Sequence, residues 1–178
     1  MSKVRTFSRC FPKGHPKEGQ PTFFVEKIWL WLVNEDGYSE PQHHKEYKEL
    51  VNIMDVLKQD HTKRHTIRGG KHFKAGDYFS PRVWSDKPYS SKQKIIAGDI
   101  KLEKVFDIKI EIDKDYICVL IDDYPFYEEN KTMVTQVEAL ETLANNDGLS
   151  LPDFKSWFKW GKQPFDGQIL CWAKGVEY

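Results

Sequence analysis

Residues 104–121 read KVFDIKIEIDKDYICVLI, and this stretch decides the fold class. Apolar and charged residues alternate along its first half, and the apolar positions mostly share one parity: Val105, Ile108, Ile110 and Ile112. Such alternation is typical of a strand with one buried face. Three shorter β-rich runs precede it: HTIR at 65–68, DYFSPRVW at 77–84 and QKIIA at 93–97. The middle of the chain is therefore predicted to form several mostly antiparallel strands.

Helices are predicted on both sides of these strands. The run FFVEKIWLWLV at 23–33 is apolar at nearly every position, so its periodicity does not separate helix from strand. We interpret it as a helix capped by Thr22. Apolar residues recur every three or four positions at 42–59, and again between Val134 and Leu143. Both of these segments predict amphipathic helices.

Two local signals define the end of the chain. Gly148 is predicted to end the second of these helices through a left-handed residue. Ser150 and Asp153 have the spacing of a capping box, which predicts a further short helix. QILCWAKG at 168–175 predicts a closing strand. The whole pattern favours the α+β class.

Composition indicates a globular protein of one domain, 1–178, because 39% of its residues are hydrophobic and 30% are charged. Residues 1–21 are predicted to form an N-terminal arm, which is irregular from Phe11 to Pro21 because three prolines and two glycines lie there. The longest apolar stretch, 28–33, is too short for a membrane span, and the start of the chain lacks an apolar signal region. We therefore predict a cytoplasmic protein with no membrane partner.

Neither the cysteines nor the histidines have the spacing of metal ligands. The three cysteines lie far apart with no CxxC pair, and the six histidines include no HExxH motif. No metal site and no cofactor is predicted.

Charge is divided unequally along the chain although its net value is zero. Between His61 and Lys94, nine Lys or Arg stand against two Asp, a local charge of +7. Between Asp99 and Asn130, four Lys stand against ten acidic residues, a local charge of −6. The basic block favours an anionic ligand. The alternative is that the two blocks are solvated faces that pair with each other.

The basic block begins with Lys63, Thr66 and Arg68, and the dipeptide Gly76-Asp77 follows just before a predicted strand. This K-x-x-T-x-R spacing before a G-D resembles the signature of ASCH domains, a branch of the PUA-like superfamily. The segment NDGLSLPDF at 146–154, between two predicted helices, is similar to the helical insertion of the same domains. The resemblance runs from Thr22 to the last residue, whereas the arm 1–21 and the helix at 42–59 look like additions.

The resemblance implies a PUA-like fold, a small and mostly antiparallel β-barrel with helices packed at one side. It also implies a cleft that binds RNA or nucleotides. Some ASCH domains are amidohydrolases that remove the acetyl group from acetylcytidine with a Lys, a Thr and a Glu. Carried onto this sequence, these catalytic residues are Lys63 and Thr66, with Asp147 in place of the Glu.

Basic and aromatic residues also interleave between residues 82 and 94, a combination that suits neutralisation of a nucleic-acid backbone and stacking of bases. Together with the signature region they give the predicted nucleic-acid-binding residues: Arg64, Arg68, Lys71, Arg82, Trp84, Lys87, Tyr89 and Lys92. The alternative is that Trp84 belongs to the core and Tyr89 packs against a turn.

These observations predict a domain that binds RNA or a modified nucleoside, with an amidohydrolase acting on acetylcytidine-type nucleosides as the enzymatic form of that function. Two alternatives stay open. One is an RNA-binding module without catalysis, and the other is a domain that binds another protein through exposed aromatic residues.

Overall fold

The structure, a computed structural model, describes residues 2–35, 58, 61–113, 116–128, 134–159, 161 and 163–178. The helix predicted at 42–59 lies outside the described residues, apart from position 58. The described residues form nine strands and three helices: β1 (Lys3–Phe7), α1 (Phe24–Asn34), β2 (His65–Gly69), β3 (Tyr78–Trp84), β4 (Gln93–Ile95), β5 (Ile100–Lys101), β6 (Lys104–Asp113), β7 (Tyr116–Ile121), β8 (Tyr124–Glu128), α2 (Val134–Asn146), α3 (Leu151–Lys159) and β9 (Phe165–Cys171).

The strands form two sheets. In the smaller sheet, β3 pairs with β1 in parallel, and with β4 and β5 in antiparallel orientation. In the larger sheet, the strand order is β2-β9-β6-β7-β8 and every pairing is antiparallel. Because sequence-distant β9 lies between β2 and β6, the end of the chain holds the signature strand β2 in place.

The predicted PUA-like β-barrel is wrong. Within the described residues the strands divide into two separate sheets, and β2 and β8 are unclosed edges of the larger one. Alternation along a strand predicts which of its faces is buried. Closure of a barrel depends instead on which edge strands pair, and such pairing joins segments that are distant in sequence. The α+β class and the mostly antiparallel pairing are retained.

Individual strand predictions are confirmed at their centres. β6 and β7 occupy the predicted runs, and Ile108 and Ile110 of β6 are fully buried. Irregular structure was predicted for Phe11 to Pro21 and is confirmed, but β1, earlier in the same arm, was not predicted. The sequence KVRTF of β1 alternates Lys3 and Arg5 with Val4 and Thr6, and it pairs with residues 79–83 of β3, which supply its hydrogen-bond partners.

The helix at 23–33 is confirmed as α1, but its N-cap is Phe23, which has a left-handed backbone with φ 57° and no capping side chain. Thr22 lies one residue earlier. Its hydroxyl accepts the backbone N–H of Phe24 at 3.4 Å and donates to the Ser8 carbonyl, 2.6 Å away. In the described residues, no helix is both long and apolar enough to cross a bilayer.

The link between α2 and α3 is confirmed in detail. Gly148 adopts φ 80°, and the backbone N–H of Leu149 donates to the Ala144 carbonyl at 3.0 Å, which closes the end of α2. Ser150 caps α3, since its Oγ accepts the backbone N–H of Asp153 at 3.3 Å. This link fixes the position of Asp147, the residue just before the turn.

Candidate functional site

The edge strand β2 carries part of the predicted signature. Side chains alternate along a strand, so Thr66 and Arg68 lie on one face of β2, and His65 and Ile67 lie on the other. The Arg68 guanidinium lies 5.0 Å from the centre of the Phe7 ring, and its Nη2 donates to the carbonyl of β1 residue 6 at 2.8 Å. Thr66 and Arg68 therefore face the smaller sheet.

Lys63 lies just before β2, and its backbone is tied to the core. Its N–H donates to the Lys27 carbonyl at 3.1 Å, and its own carbonyl accepts the indole N–H of Trp172 at 3.1 Å. The side chain is only 1% exposed. Its ammonium group lies 4.2 Å from the centre of the Phe24 ring, against which it makes a cation–π contact.

The buried partner of Lys63 is Asp147. The Lys63 Nζ lies 2.6 Å from Asp147 Oδ1 and also donates to the Asp147 backbone carbonyl. Neighbouring backbone bonds hold the two chain segments together, because the N–H of Arg64 donates to the Asn146 carbonyl at 2.8 Å. Lys27 adds a bridge, since its Nζ donates to the Gly148 carbonyl at 2.7 Å.

Burial moves both members of this ion pair towards their neutral forms. Burial lowers the pKa of Lys63 from 10.5 to about 8, although the carboxylate of Asp147 opposes the shift; the cations Arg68 and Lys27 add to it. Burial likewise raises the pKa of Asp147, which Lys63 and Arg68 oppose. With a pKa of about 8, roughly a tenth of Lys63 is a neutral amine at pH 7 and is able to accept a proton.

Thr66, the third predicted catalytic residue, lies beside this pair without a bond to it. The backbone N–H of the next residue, Ile67, is close enough to the Asp147 carboxylate to help lower its pKa against the effect of burial. Thr66 is 4% exposed, and in the described part of the chain its hydroxyl makes no hydrogen bond. The fold thus joins Lys63 to Asp147 and leaves the buried Thr66 hydroxyl without a hydrogen bond within the described residues.

A buried hydrogen-bond chain on the other face of β2 was not predicted. The Asn146 amide donates to the Tyr178 hydroxyl at 3.0 Å, and that hydroxyl lies 2.6 Å from His65 Nδ1. The direction of the bond between this hydroxyl and Nδ1 is set by the tautomer of His65. Nε2 has no hydrogen-bond partner among the described residues and lies 4.0 Å from Asp147 Oδ1. No spacing in the sequence indicates this chain.

The predicted nucleic-acid-binding residues fall into two groups. Arg64 and Lys71 are engaged in ion pairs, with Glu35 at 3.0 Å and with Asp107 at 2.6 Å. The Lys71–Asp107 pair joins the basic block to the acidic block, as the alternative reading of the charges requires. These two cations are therefore less available to a ligand than the others.

The second group surrounds the 85–92 loop, which connects β3 to β4. The rings of Trp84 and Tyr89 lie 5.5 Å apart, and Tyr89 is 90% exposed on a left-handed backbone with φ 64°. Trp84 is only half-buried, so it is not a core residue. Arg82 Nε donates to Ser80 Oγ at 3.3 Å, and two further predicted cations of the loop are exposed: Lys87 and Lys92.

Arg68, the remaining predicted cation, interacts with the 85–92 loop. Burial lowers the pKa of Arg68 to about 10; Asp147 opposes this shift, Arg5 adds to it and the Tyr89 phenol opposes it. Tyr89 therefore lies close enough to Arg68 to interact with it electrostatically. Arg68 thus interacts electrostatically with both the 85–92 loop and the buried Lys63–Asp147 pair.

Two clefts in the described residues lie near this region without including its reactive groups. One, of about 350 Å³, is lined by residues of α1 and β5 together with Trp172. The other, of about 270 Å³, is lined by Lys27, Gly148 and Asp153 among others. Lys63, Thr66 and Asp147 line neither cleft. Among the described residues no three His, Cys, Asp or Glu side chains are grouped as metal ligands.

We expect the Lys63→Met variant to lose about 3–5 kcal/mol of unfolding free energy at pH 7, because it leaves the Asp147 carboxylate buried without its partner. The double variant Lys63→Met/Asp147→Leu recovers most of that loss. In the single variant, stability falls as pH rises from about 4 through the raised pKa of Asp147, since the folded state holds the proton longer than the unfolded state does. Urea denaturation across pH measures all three effects.

The control is the exposed pair of Lys109 and Asp123, whose charged atoms lie 2.7 Å apart. Lys109→Met is expected to leave the unfolding free energy nearly unchanged, because solvent screens the pair. A loss in Lys63→Met no greater than that in Lys109→Met would contradict the burial of the pair.

Comparisons with known proteins add no relative to this picture. No model of a known protein family, no curated protein and no solved structure matches the chain. The resemblance to ASCH domains therefore stays a prediction from the K-x-x-T-x-R signature, and the case for a function is made from the site itself.

Proposed function

We propose that this chain is an ASCH-type domain that binds RNA or an RNA-derived nucleoside beside β2, and that it hydrolyses the acyl amide of acetylcytidine-type nucleosides there. The buried contact between Lys63 and Asp147 is the observation that carries the proposal. It supplies a lysine with a pKa lowered to about 8 by burial, next to a threonine whose hydroxyl makes no hydrogen bond within the described residues. A hydroxyl becomes a nucleophile when such a base takes its proton.

The reaction proceeds in two steps, transfer of the acetyl group to Thr66 and hydrolysis of the resulting ester. The neutral amine of Lys63 removes the Thr66 hydroxyl proton while Oγ attacks the acetyl carbonyl carbon. The bond from that carbon to N4 of the base then breaks, and the departing amine takes the proton from Lys63. In the second step the same amine removes a proton from water, and the water oxygen attacks the carbonyl carbon of the acetyl ester on Thr66. The bond from that carbon to Oγ breaks, Oγ takes the proton from Lys63, and acetic acid leaves and ionises to acetate.

Asp147 acts through Lys63 in this scheme. Its carboxylate lies 2.6 Å from Nζ, so it orients the amine and stabilises the ammonium ion that forms in each step. Asp147 is thus a positioning residue. Its backbone carbonyl accepts a second hydrogen bond from the same Nζ, which further fixes the direction of the amine.

Stacking of the base is assigned to the 85–92 loop. Tyr89 is held out from the surface by its left-handed backbone and packs against Trp84, so the two rings together offer an exposed aromatic surface close to Arg68. Stacking on such a surface accepts any base, which suits both a nucleoside and single-stranded RNA.

A second candidate function is binding of RNA without catalysis. One observation favours it: Lys63 and Asp147 bond to each other, whereas neither bonds to the Thr66 hydroxyl. In that case the same surface binds RNA while the ion pair only stabilises the fold. The hydrolysis assay described next separates the two candidates.

We expect Thr66→Val and Lys63→Ala each to lower kcat/KM for N4-acetylcytidine hydrolysis by at least about a hundredfold, since each removes a participant in proton transfer or attack. In the unmodified protein kcat/KM rises with pH and levels off above about 8, because the neutral form of Lys63 is the base. Release of acetate, followed from pH 6 to pH 10, measures both quantities.

Thr142→Val and Lys13→Met are the matched controls, because one removes a hydroxyl from an exposed helix face and the other removes an exposed ammonium group. Both should hydrolyse the substrate at the unmodified rate. Hydrolysis that persists in Thr66→Val and Lys63→Ala would contradict the mechanism, and folded protein that binds cytidine without hydrolysing N4-acetylcytidine would favour the second candidate.

We expect Tyr89→Ala to weaken binding of a short single-stranded RNA by about 1–3 kcal/mol, the amount that one aromatic stacking contact contributes. Fluorescence anisotropy at two salt concentrations measures the loss. Tyr124→Ala is the matched control, since Tyr124 is 77% exposed on the opposite edge strand β8. Equal affinities of the two variants would remove the 85–92 loop from the binding site.

A further inference from the structure

One face of β1 carries cations against aromatic rings. Lys3, Arg5 and Phe7 alternate onto the same face of the strand. The Lys3 ammonium lies 4.6 Å and the Arg5 guanidinium 4.3 Å from the centre of the Phe73 ring. Both cations therefore contact the same aromatic ring.

Arg68 reaches the same face from the other sheet. Its guanidinium lies 5.0 Å from the Phe7 ring, and the Lys63 ammonium lies 5.9 Å from that ring. Arg68 and Lys63 therefore both lie near the Phe7 ring, and Arg68 interacts electrostatically with the Lys63–Asp147 pair. The cations of this face connect with the proposed reaction site.

Of these four cations, Lys3 and Lys63 have acidic partners. Lys3 pairs with Asp77 at 3.2 Å, and Lys63 pairs with Asp147 at 2.6 Å. In the described part of the chain Arg5 and Arg68 have no carboxylate within ion-pair distance; each makes one hydrogen bond, to a backbone carbonyl of β1. Arg5 and Arg68 are therefore the two of the four that lack an ion-pair partner within the described residues.

Both arginines also contain a buried donor that is not satisfied. Arg5 Nε and Arg68 Nε are shielded from solvent and have no hydrogen-bond acceptor among the described residues. A buried N–H without an acceptor is destabilising, and two such groups on neighbouring cations are rare without a ligand. Burial lowers the pKa of both arginines, and the charge of Arg5 lowers that of Arg68 further. The free protein therefore keeps two repelling cations together.

We propose that Arg5 and Arg68 form a binding site for the phosphoryl group of a nucleotide or of an RNA strand. The planar forks of two guanidinium groups donate parallel hydrogen bonds of the kind that phosphate oxygens accept. One bound anion supplies both missing acceptors and the missing counter-charge. The inference rests on the function proposed above and refines it, because the substrate is then a nucleotide or RNA rather than a free nucleoside.

Inorganic phosphate tests the anion site without any nucleoside. We expect phosphate to raise the Tm of the unmodified protein more than sodium chloride does at equal ionic strength, and to do so equally in Arg9→Gln, which removes an exposed arginine of the same segment. Arg5→Gln and Arg68→Gln should lose the response. Without phosphate, Arg5→Gln should unfold at the same or a higher temperature than the unmodified protein, because it removes a half-buried charge that has no ion-pair partner.

Two results overturn the site. One is a phosphate response in Arg5→Gln or Arg68→Gln as large as that of the unmodified protein. The other is no response of the unmodified protein beyond the effect of ionic strength. Arg5→Lys, which retains the charge but loses the fork, should give a response between those of the unmodified protein and Arg5→Gln.

Calorimetry with cytidine and cytidine 5′-monophosphate tests the link to the nucleoside. We expect the monophosphate to bind about tenfold or more tightly than cytidine, the effect of a charge-assisted hydrogen bond. In Arg5→Gln the two ligands should bind equally. A short cytidine oligonucleotide without a terminal phosphate matches the monophosphate if the site takes a phosphodiester, and binds like cytidine if it takes a monoester.

The anion site and the proposed function fail in different ways. A phosphate response that needs both arginines, in a protein that neither binds cytidine nor hydrolyses N4-acetylcytidine, would retain the anion site and remove the function. Normal hydrolysis with equal affinity for cytidine and its monophosphate would remove the anion site and retain the function.

Discussion

The ammonium of Lys63 and the carboxylate of Asp147 form an ion pair in which both side chains are almost completely buried. Their contact joins the segment before β2 to the turn after α2, and Lys27 of α1 ties both segments through hydrogen bonds to its carbonyl and from its Nζ. Burying an ion pair gives little net stability, whereas breaking one is strongly destabilising. The cluster therefore holds three segments together. Its burial also lowers the pKa of Lys63 and raises the pKa of Asp147.

The larger sheet explains why such a pair is buried at a strand edge. β2 pairs with β9 on one side, and its other side meets the end of α2, where Asp147 stands. The alternating faces of β2 then separate the two sets of polar groups. Thr66 and Arg68 face the smaller sheet and its cations, whereas His65 faces Tyr178 and the hydrogen-bond chain from Asn146. One edge strand thus organises the proposed reaction site, the arginines beside it and the buried histidine behind it.

Sequence patterns predicted the elements that are locally encoded. The alternation of 104–113 gave β6, and Gly148 with the Ser150 capping box gave the link that positions Asp147. The closed barrel was wrong and β1 was missed, because both depend on which strands pair across the chain. The resemblance assigned Lys63, Thr66 and Asp147 to one site; the structure joins Lys63 to Asp147, while Thr66 makes no bond to either and the catalytic roles stay a prediction. Arg5 and His65 were not predicted as site residues, because their surroundings come from β3, Phe73 and Tyr178, which are distant in sequence.

The proposed chemistry depends on Lys63 being able to release its proton near neutral pH. An NMR titration of the protein labelled with ¹³C at the lysine ε-carbons, with Lys63 assigned through the Lys63→Arg variant, measures this directly. We expect a midpoint for Lys63 at about pH 8, lowered by burial. A midpoint of Lys63 near the ordinary 10.5 would contradict it, because the amine would then be fully protonated at the pH where it must act as a base.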